Sequence, residues 1–579
     1  MATFTTPTKH NRPAGAHFAD LRPRHRAVLA RGSWRRVTRR IVCGLACALT
    51  VRSLLMPSIS LAAEWVDVGG TQYNAGTAAG DEAGTWSWDG ADDMKLNGYN
   101  GGAIQAEGKL NVSYSGNNTV TNGDGRGIEV TDGTNENAEL NIQGDASSTL
   151  NVTSSGDAIM SDGDINIDGA GTVNATSTEH DAIDAKGDLT IKGSGNVNAT
   201  GDSDGIRADG DITIDNSGTV TAKATEDQGI DAKENLTIKG GGTVEASSVE
   251  DVAIWAGGNI EISGGSQVKA NSKEDYAVKA IGGLTVTNVS LNANGVGYGV
   301  YAYKGITLDH ATVTVRAAAE RDGVSALFTD EDDIVIKNGS IVDAFAEGEF
   351  STAISTRNYN PNEAGGHIYI SDSVVKAIAR YAEIDGDGPA CYSRDQDGEI
   401  TPERRGVNIG IFAQTSKGIT PATISIVRST VTAEGDTAAI FALAMSADGK
   451  AIGTIEIEGA SILMPEGGKV IDYRHKEELS DSTVYEAGQA IGTGDAVIDS
   501  PYDDAVAKRA VIAPSEDSKP DSKPEGTKTT KTVATATVGT KTVGKLAATG
   551  DASSAAIVAT ALAGAAAIAA GAAVSRKRS

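Results

Sequence analysis

Aspartate recurs at two fixed positions of a repeated sequence unit, and these side chains are the first candidates for chemistry. One set comprises Asp157, Asp181 and Asp204, and the other comprises Asp164, Asp188 and Asp211. If successive units stack, neighbouring carboxylates lie roughly 5 Å apart and repel one another. A hard cation such as Ca²⁺, which prefers oxygen ligands, would turn that repulsion into attraction. The pattern predicts calcium on these turns; the alternative is that the aspartates cap the turns through Asx hydrogen bonds in full solvent.

A further series of residues recurs once per unit, and the alternation of side chains along a strand predicts that they point outward. In successive units it reads Asp184, Arg207, Asp231, Trp255, Lys279 and Tyr301. Aromatic residues make up only 4 % of the chain, so two of them beside a lysine on one face are informative. Aromatic rings with flanking polar groups bind sugars by apolar contact and hydrogen bonding. We therefore predict that Trp255, Lys279 and Tyr301 bind carbohydrate; the alternative is a tryptophan that packs under a loop or against a cap.

The same series offers one trio for acid–base catalysis, Arg207 flanked by Asp184 and Asp231, which a polysaccharide lyase or hydrolase could use. Ion pairing explains this trio equally well. The histidines after Ala62 are far apart and lack metal-binding spacing, and no G-x-S-x-G, Walker or dinucleotide-binding loop occurs in a strand–helix context. Cys391 is the only cysteine after Ala62. We therefore predict that the protein is not an enzyme.

The elements that carry these residues form an internal repeat with a period of roughly 24 residues. One apolar series advances in steps of 24, 23, 24, 24, 24 and 22, and it comprises Ile165, Leu189, Ile212, Leu236, Ile260, Leu284 and Ile306. Two more series run from Ile159 to Val300 and from Val173 to Val315. Three short alternating strands per period, separated by Gly, Asp and Asn, are typical of a solenoid. The sequence predicts an all-β fold, a right-handed parallel β-helix with three strands in each ~24-residue coil.

Composition limits the possible functions. The chain has 579 residues, of which 70 are glycine, and its net charge is −27. Such an acidic chain is a poor partner for nucleic acid or for an anionic membrane surface. Abundant glycine and few aromatic residues favour many tight turns and thin aliphatic layers over a thick globular core.

The N-terminal segment, 1–62, has the composition of an export signal. A cluster of arginines, Arg35 to Arg40, precedes the apolar segments IVCGLACALTV and SLLMPSISLAA, and the second ends in small residues. Basic, apolar and small residues in that order are typical of a secretory signal peptide. Twin-arginine and lipoprotein signals fit this segment less well. We predict secretion, with cleavage after Ala62.

The C-terminus carries a second predicted targeting signal. Residues 546–551 read LAATGD, and they precede an Ala-rich apolar run of about 20 residues, which is long enough to span a bilayer, and a basic tail. This order resembles a sortase cell-wall sorting signal of the LPxTG type, in its LAxTG variant. The resemblance implies cleavage before Gly550 and transfer of Thr549 to peptidoglycan, through the motif Leu546, Ala547, Ala548, Thr549 and Gly550. The alternative is a plain membrane anchor with a chance LAATG.

The repeat unit itself, DGI-x-A-x-GDLTI-x-G-x-VNA, resembles calcium-binding, carbohydrate-binding β-helix domains of bacterial surface proteins, which are related in fold to pectate lyases. The resemblance is close over about 150–320. It implies a non-catalytic polysaccharide binder whose acidic turns are the calcium ligands. It leaves open two other functions, a polysaccharide lyase or hydrolase on the same fold and a passive surface stalk.

These observations together predict the organisation of the whole chain. The expected order is a signal peptide (1–62), an N-terminal cap (63–100), the β-helix (101–500), a Pro/Thr/Lys-rich wall-spanning linker (501–545), the sorting motif (546–551) and a transmembrane helix with a basic tail (552–579). The expected location is the cell wall of a Gram-positive bacterium. The expected partners are a sortase, peptidoglycan and a glycan, with the membrane contacted only by the C-terminal helix.

Overall fold

The structure is a computed structural model of the chain. It describes residues 63–132, 138–319, 323–348, 350–358, 365–381, 391–394, 400–403, 408–415, 422–435, 438–444, 452–462, 471–479, 482–490 and 509–514.

Each coil consists of three short strands joined by tight turns. In one coil the strands are Ile183–Ala185, Leu189–Gly193 and Asn196–Thr200. Each of them pairs in parallel with the corresponding strand of the next coil. Their side chains alternate between the interior and the exterior because a strand has a period of two residues. The prediction of an all-β parallel β-helix with three stacked sheets is confirmed, and its right-handed sense stays a prediction.

Sheet 1 contains the first strand of each coil. In spatial order its strands are Thr71–Asn74, Trp65–Val68, Ile104–Glu107, Ile128–Thr131, Ile159–Ser161, Ile183–Ala185, Ile206–Ala208, Ile230–Ala232, Ile254–Ala256, Val278–Ala280, Tyr298–Ala302, Val324–Thr329, Ser351–Asn358, Asn408–Thr415 and Ala438–Ala444. The strand Trp65–Val68 is antiparallel to both of its neighbours. The pairings from Ile104–Glu107 onward are parallel.

Sheet 2 contains the second strand of each coil. Its strands are Ala79–Gly80, Trp86–Trp88, Asp93–Asn97, Lys109–Ser115, Glu139–Gly144, Asp164–Gly169, Leu189–Gly193, Ile212–Asn216, Leu236–Lys239, Ile260–Ile262, Leu284–Thr287, Ile306–Asp309, Ile334–Lys337, Ile368–Ser371, Ala422–Val427, Ile452–Glu458, Ile471–Leu479 and Ser482–Ala490. The first three strands and the last two make antiparallel pairs. The pairings between them are parallel.

Sheet 3 contains the third strand of each coil. Its strands are Asn100–Gly101, Asn117–Asn122, Thr149–Ser154, Thr172–Ser177, Asn196–Thr200, Thr219–Lys223, Thr243–Ser248, Gln267–Ser272, Ser290–Gly295, Thr312–Ala318, Ile341–Glu347, Val374–Arg380, Thr430–Gly435, Arg509–Pro514 and Ala460–Ile462. The strand Arg509–Pro514 is antiparallel to both of its neighbours. A separate antiparallel hairpin pairs Cys391–Arg394 with Ile400–Glu403.

The interior of the coils is filled by ladders of identical or similar aliphatic side chains. Ile183, Ile206 and Ile230 stack in one ladder and are fully buried. The partner ladder holds alanine in six successive coils, at Ala185, Ala208, Ala232, Ala256, Ala280 and Ala302. Because parallel strands lie about 4.8 Å apart, each coil covers the apolar face of its neighbour.

One predicted ladder position is wrong. The third apolar series continues from Leu291 to Val313, and Val315 pairs with Ala293 instead. The step from Leu291 to Val313 is as short as the step from Leu284 to Ile306, and both belong to the same short coil. The fixed period of the preceding coils therefore overshoots by one inward position here.

Antiparallel strands cover the two ends of the described solenoid. Trp86 and Trp88 lie in an antiparallel segment near the start, and both are buried. Arg509–Pro514 covers the edge of sheet 3 near the other end. Covered edges reduce strand pairing with other chains. The described segments contain no helix of the length and apolarity that a membrane crossing requires.

Candidate functional site

The outward residues of sheet 1 form two adjacent rows, which we call the strip. The inner row reads Met160, Asp184, Arg207, Asp231, Trp255, Lys279, Tyr301 and Phe328. The outer row follows two residues later in each coil and reads Lys186, Asp209, Lys233, Gly257, Ile281 and Tyr303. The structure therefore places the six residues of the predicted outward series side by side. The strip has an acidic half, up to Asp231, and an aromatic half, from Trp255 onward.

Arg207 is the centre of the acidic half. Its guanidinium nitrogens lie 2.6 Å from a carboxylate oxygen of Asp209, 3.5 Å from Asp184, 3.7 Å from Asp231, 3.8 Å from Asp181 and 3.9 Å from Asp204. Asp184 also pairs with Lys186, and Asp231 pairs with Lys233. One arginine and two lysines thus compensate the charge of several carboxylates.

The acidic half points outward but is enclosed. Asp184 is 2 % exposed and Asp231 is 1 % exposed, while the Arg207 side chain retains 23 %. The lysines of the outer row and Arg207 lie against these carboxylates. The trio predicted for catalysis is therefore an ion-paired network whose carboxylates have almost no surface to offer a polymer.

Burial and mutual repulsion raise the pKa values of these acids. Loss of solvation raises the pKa of Asp204 to about 8, and the nearby charges of Asp181 and Asp231 add to the effect. Loss of solvation also raises the pKa of Asp181 to about 6. The pKa values of Asp184 and Asp231 are raised as well, again mainly by burial, although the ammonium groups of Lys186 and Lys233 oppose the shift. The proton content of this half therefore changes across the neutral pH range.

The first set of turn aspartates lies beside this network and binds backbone. Asp157 accepts the Asp181 N–H at 3.3 Å, Asp181 accepts the Asp204 N–H at 2.9 Å, and Asp204 accepts the Gln228 N–H at 2.7 Å. Asp157, Asp181 and Asp184 each place one carboxylate oxygen within 4.8 Å of the others, a geometry that a cation could share. Arg126 already lies 2.9 Å from Asp157.

The second set of turn aspartates lies elsewhere. Asp181 precedes the strand Ile183–Ala185 by two residues, and Asp188 follows it by three, so the two sets lie at opposite ends of the sheet 1 strands. In the second set each exposed carboxylate accepts a backbone N–H of the next coil, at 2.8 Å for Asp164 and Asp188 and at 2.9 Å for Asp211. Asn235 and Asn259 continue the same ladder at 2.9 Å. These contacts are those expected of turn-capping aspartates.

The aromatic half contains a cluster of four rings and a neighbouring tryptophan. The cluster comprises Tyr276, Tyr298, Tyr301 and Phe328, with ring centroids 4.7–5.8 Å apart. The Lys279 ammonium lies 5.1 Å from the Tyr276 ring, and the Lys233 ammonium lies 4.8 Å from the Trp255 ring. Cation–π contacts of this kind favour these relative positions of the rings and the amines.

Two local features position the rings. A Cβ at Gly257 would lie 2.2 Å from the Lys233 carbonyl oxygen and 3.2 Å from Cη2 of Trp255. Only glycine therefore fits beside this half-buried indole. The Tyr301 hydroxyl donates to Asp330 at 2.9 Å, and Arg357 donates to the same carboxylate at 2.6 Å. Burial and the Asp330 charge raise the pKa of Tyr301, which keeps its hydroxyl protonated as a donor.

Sequence reasoning named Trp255, Lys279 and Tyr301 but missed residues that lie beside them. The missed residues are Tyr276, Tyr298, Phe328, Ile281 and Tyr303. Phe328 continues the inner row by one coil, and the outer row follows the inner row by two residues, so extending the series in both directions would have found three of them. Tyr276 and Tyr298 precede their inner-row neighbours by three residues, and nothing in the period indicates that their rings turn toward the strip.

A second acidic group was also missed. Asp89, Asp92 and Asp93 place carboxylate oxygens within 4.8 Å of one another in the N-terminal antiparallel segment. Asp89 accepts the Ala91 N–H at 2.8 Å and the Asp93 N–H at 3.2 Å. This group is mostly exposed and its hydrogen bonds are those of an Asx turn.

The predicted processing sites lie outside the described residues, both at Ala62, where the signal peptide ends, and at the sorting motif Leu546–Gly550. Most of the predicted linker and the predicted transmembrane helix also lie outside them.

Comparisons of the chain with family models, with curated proteins and with solved structures give no match.

Proposed function

We propose that this protein is a secreted, wall-anchored surface protein whose β-helix binds carbohydrate without catalysing a reaction. The observation that carries the proposal is the aromatic half of the strip, where Trp255, Lys279 and Tyr301 occupy successive coils of one row. Trp255 and Tyr301 are neither core residues nor fully solvated, since each is half-buried. Half-exposed rings beside fixed polar groups suit the apolar faces and hydroxyl rims of sugars.

The arrangement of polar groups supports the same function. The Lys279 ammonium forms no ion pair with any residue that the structure describes. Asp330 and Arg357 lie at the far end of the ring cluster, where they hold the Tyr301 hydroxyl. A sugar bound over the rings would thus meet a cation on one side and a charged hydrogen-bonding pair on the other.

The deciding experiment is a glycan array probed with the wild-type protein and with Trp255→Ala. We expect binding to a restricted set of polysaccharides and a loss of at least about fivefold in the variant, the size expected for one aromatic contact. Tyr369→Ala is the matched control, because Tyr369 is an exposed ring on sheet 2. An array without any bound glycan would favour the passive stalk and overturn the proposal.

A polysaccharide lyase or hydrolase is the second candidate. It is favoured by the raised pKa values of Asp181 and Asp204 beside Arg207, since groups that titrate near neutral pH suit acid–base catalysis. The burial of Asp184 and Asp231 opposes it. Prolonged incubation with polygalacturonate and with neutral glucans, followed by assays for unsaturated products and for new reducing ends, separates the two. Product formation that Arg207→Met abolishes and Arg428→Met retains, with both variants still folded by circular dichroism, would establish an enzyme.

We also propose that calcium binds the β-helix and stabilises its folded state. The supporting geometry is the group Asp157, Asp181 and Asp184, with oxygens within 4.8 Å of one another. A cation at this position has to displace or share the contacts of Arg207 and Lys186. The alternative position, at the second set of turn aspartates, offers exposed carboxylates that already bind backbone.

Anchoring to peptidoglycan by a sortase is proposed from the sequence. Thr549→Ala changes the residue whose carbonyl would be transferred, so the protein should move from the wall fraction to the membrane fraction. Release of an unchanged wall-linked species by muramidase would contradict the sorting proposal and favour another mode of attachment.

A further inference from the structure

We infer that the aromatic half of the strip binds a linear polysaccharide whose chain runs parallel to the coil axis, from Trp255 to Tyr303. The inference rests on the carbohydrate-binding function proposed above and adds the class and the direction of the ligand. The other possible ligands are the branched end of a glycan and a single sugar.

The width of the strip favours this direction. The sheet 1 strands Ile254–Ala256 and Val278–Ala280 have three residues each, so only the middle one points outward. The outer row adds one residue per coil. A sugar chain that crossed one coil would meet at most three side chains, such as Tyr276, Lys279 and Ile281, whereas a chain along the axis meets new side chains at every coil.

The spacing between neighbouring coils fits the repeat length of an extended sugar chain. Neighbouring parallel strands lie about 4.8 Å apart, which is close to the length of one pyranose unit in an extended chain. Strand pairing holds Trp255, Lys279 and Tyr301 in strict register from coil to coil. Successive sugars would therefore meet equivalent positions on successive coils.

An exposed apolar side chain lies in the middle of this path. Ile281 is 40 % exposed, although it lies between the Gly257 and Tyr303 positions of the outer row on a predominantly polar molecule. Gly257 has no side chain, so the Trp255 indole can extend over its position toward the outer row. The indole and Ile281 offer apolar contact to two consecutive sugars.

Polar groups mark both ends of this path. Lys233 pairs with Asp231 at 2.5 Å at the acidic end. At the other end the Tyr303 hydroxyl donates to Glu331. The Lys279 ammonium lies between them. Hydrogen-bonding groups are therefore distributed along the axis rather than gathered at one point, as recognition of a chain requires.

The test is the affinity of the full chain for two length series, cello-oligosaccharides and oligogalacturonates from disaccharide to octasaccharide. We expect affinity to rise by about tenfold or more between disaccharide and tetrasaccharide and then to level off. Trp255→Ala and Ile281→Ser should each weaken tetrasaccharide binding by about fivefold to tenfold. The double variant should bind more weakly than either single variant, because one sugar chain contacts both side chains. Tyr369→Ala should bind like the wild type.

The outcomes separate the inference from the function on which it depends. Binding of either series with this length dependence supports the inference, and the series that binds shows whether the chain is neutral or acidic. If a disaccharide binds as tightly as an octasaccharide, and Trp255→Ala removes that binding, the axial direction is wrong while carbohydrate binding stands. If Tyr369→Ala weakens binding and Ile281→Ser does not, the ligand lies on another face and the inference fails. If the glycan array and both series show no binding, the proposed function fails together with the inference.

Discussion

Asp231 lies with its Oδ2 atom 3.7 Å from Nε of Arg207, while its Oδ1 atom is buried without a hydrogen-bond partner in the described part of the chain. A buried carboxylate oxygen without a partner is costly, and nearby cations are what make it tolerable. Arg207 performs this role for carboxylates of three successive coils, including Asp184 and Asp204. Among the residues that the structure describes, Arg207 is therefore the one cation that these carboxylates share, while Lys186 and Lys233 each pair with a single one of them.

Arg207→Met should destabilise the protein strongly. The change keeps an apolar stem of similar length but leaves several buried carboxylates without their shared cation, which typically costs about 3–5 kcal/mol. The free energy of unfolding from chemical denaturation measures the effect. The matched control is Arg428→Met, because Arg428 pairs with Asp372 at 2.6 Å in an exposed position, where ion pairs contribute little. Equal decreases in the free energy of unfolding for both variants would show that the Arg207 network contributes no more to stability than an exposed ion pair.

The stability of the protein should fall as the pH rises from about 4 to about 8. The pKa of Asp204 is about 8 and that of Asp181 about 6 in the folded protein, whereas an unfolded aspartate titrates near 3.8. The folded state therefore binds these protons more tightly than the unfolded state. The stabilisation that results is complete below pH ~4 and is lost as the pH passes the folded pKa values, at about 1.4 kcal/mol per unit of pKa difference for an isolated group.

Asp204→Asn should flatten this dependence between pH 6 and 8. Asparagine keeps an oxygen that can accept the Gln228 N–H, but it does not titrate. Asp211→Asn is the control, since Asp211 makes the same type of backbone contact in an exposed position. Urea denaturation at several pH values is the measurement. An unchanged slope in Asp204→Asn would mean that this carboxyl does not titrate in the neutral range.

The sequence period predicted correctly which side chains point outward, but it did not predict which of them are buried. It placed Asp184, Arg207 and Asp231 in one outward row, and strand pairing agrees. It could not predict that Asp184 and Asp231 are buried, because their cover comes from the side-chain conformations of Lys186, Lys233 and Arg207, which are set by charge and not by the period. It likewise gave the two aspartate sets one role, whereas the strand between them separates an enclosed set from an exposed one. The displaced Val315 shows the other limit, since a period follows the average coil and not the short one.

Calcium should raise the melting temperature more than magnesium does. A cation that binds only the folded state stabilises it by about 2.7 kcal/mol at a hundredfold excess over the Kd. Magnesium dehydrates reluctantly and requires a tighter cage, so its effect should be smaller. Thermal melts at equal ionic strength, with and without a chelator, measure both. Equal effects of the two ions would indicate screening alone and would remove calcium from the proposal.

Paired variants locate the cation. The double variant Asp157→Asn and Asp181→Asn should abolish the calcium effect if the enclosed group binds the ion. The double variant Asp188→Asn and Asp211→Asn should abolish it if the exposed ladder does. Both pairs retain acceptors for the backbone N–H groups of the next coil, so each serves as the control for the other.

The alanine ladder should be intolerant of larger side chains. Ala232 is fully buried and stacks between Ala208 and Ala256 at the corner of its coil, and close packing of protein interiors leaves little room for a larger side chain there. Ala232→Ile should lower the free energy of unfolding by about 1–3 kcal/mol or more through overpacking. Thr237→Ile is the matched control, because Thr237 is a half-exposed outward residue in the following strand of the same coil. Since each coil contacts only its neighbours, the damage should be local, and hydrogen exchange should increase first in the strands at 206–208 and 254–256. Equal stability of the two variants would show that the ladder leaves room for branched side chains, and the close packing inferred for this corner would be wrong.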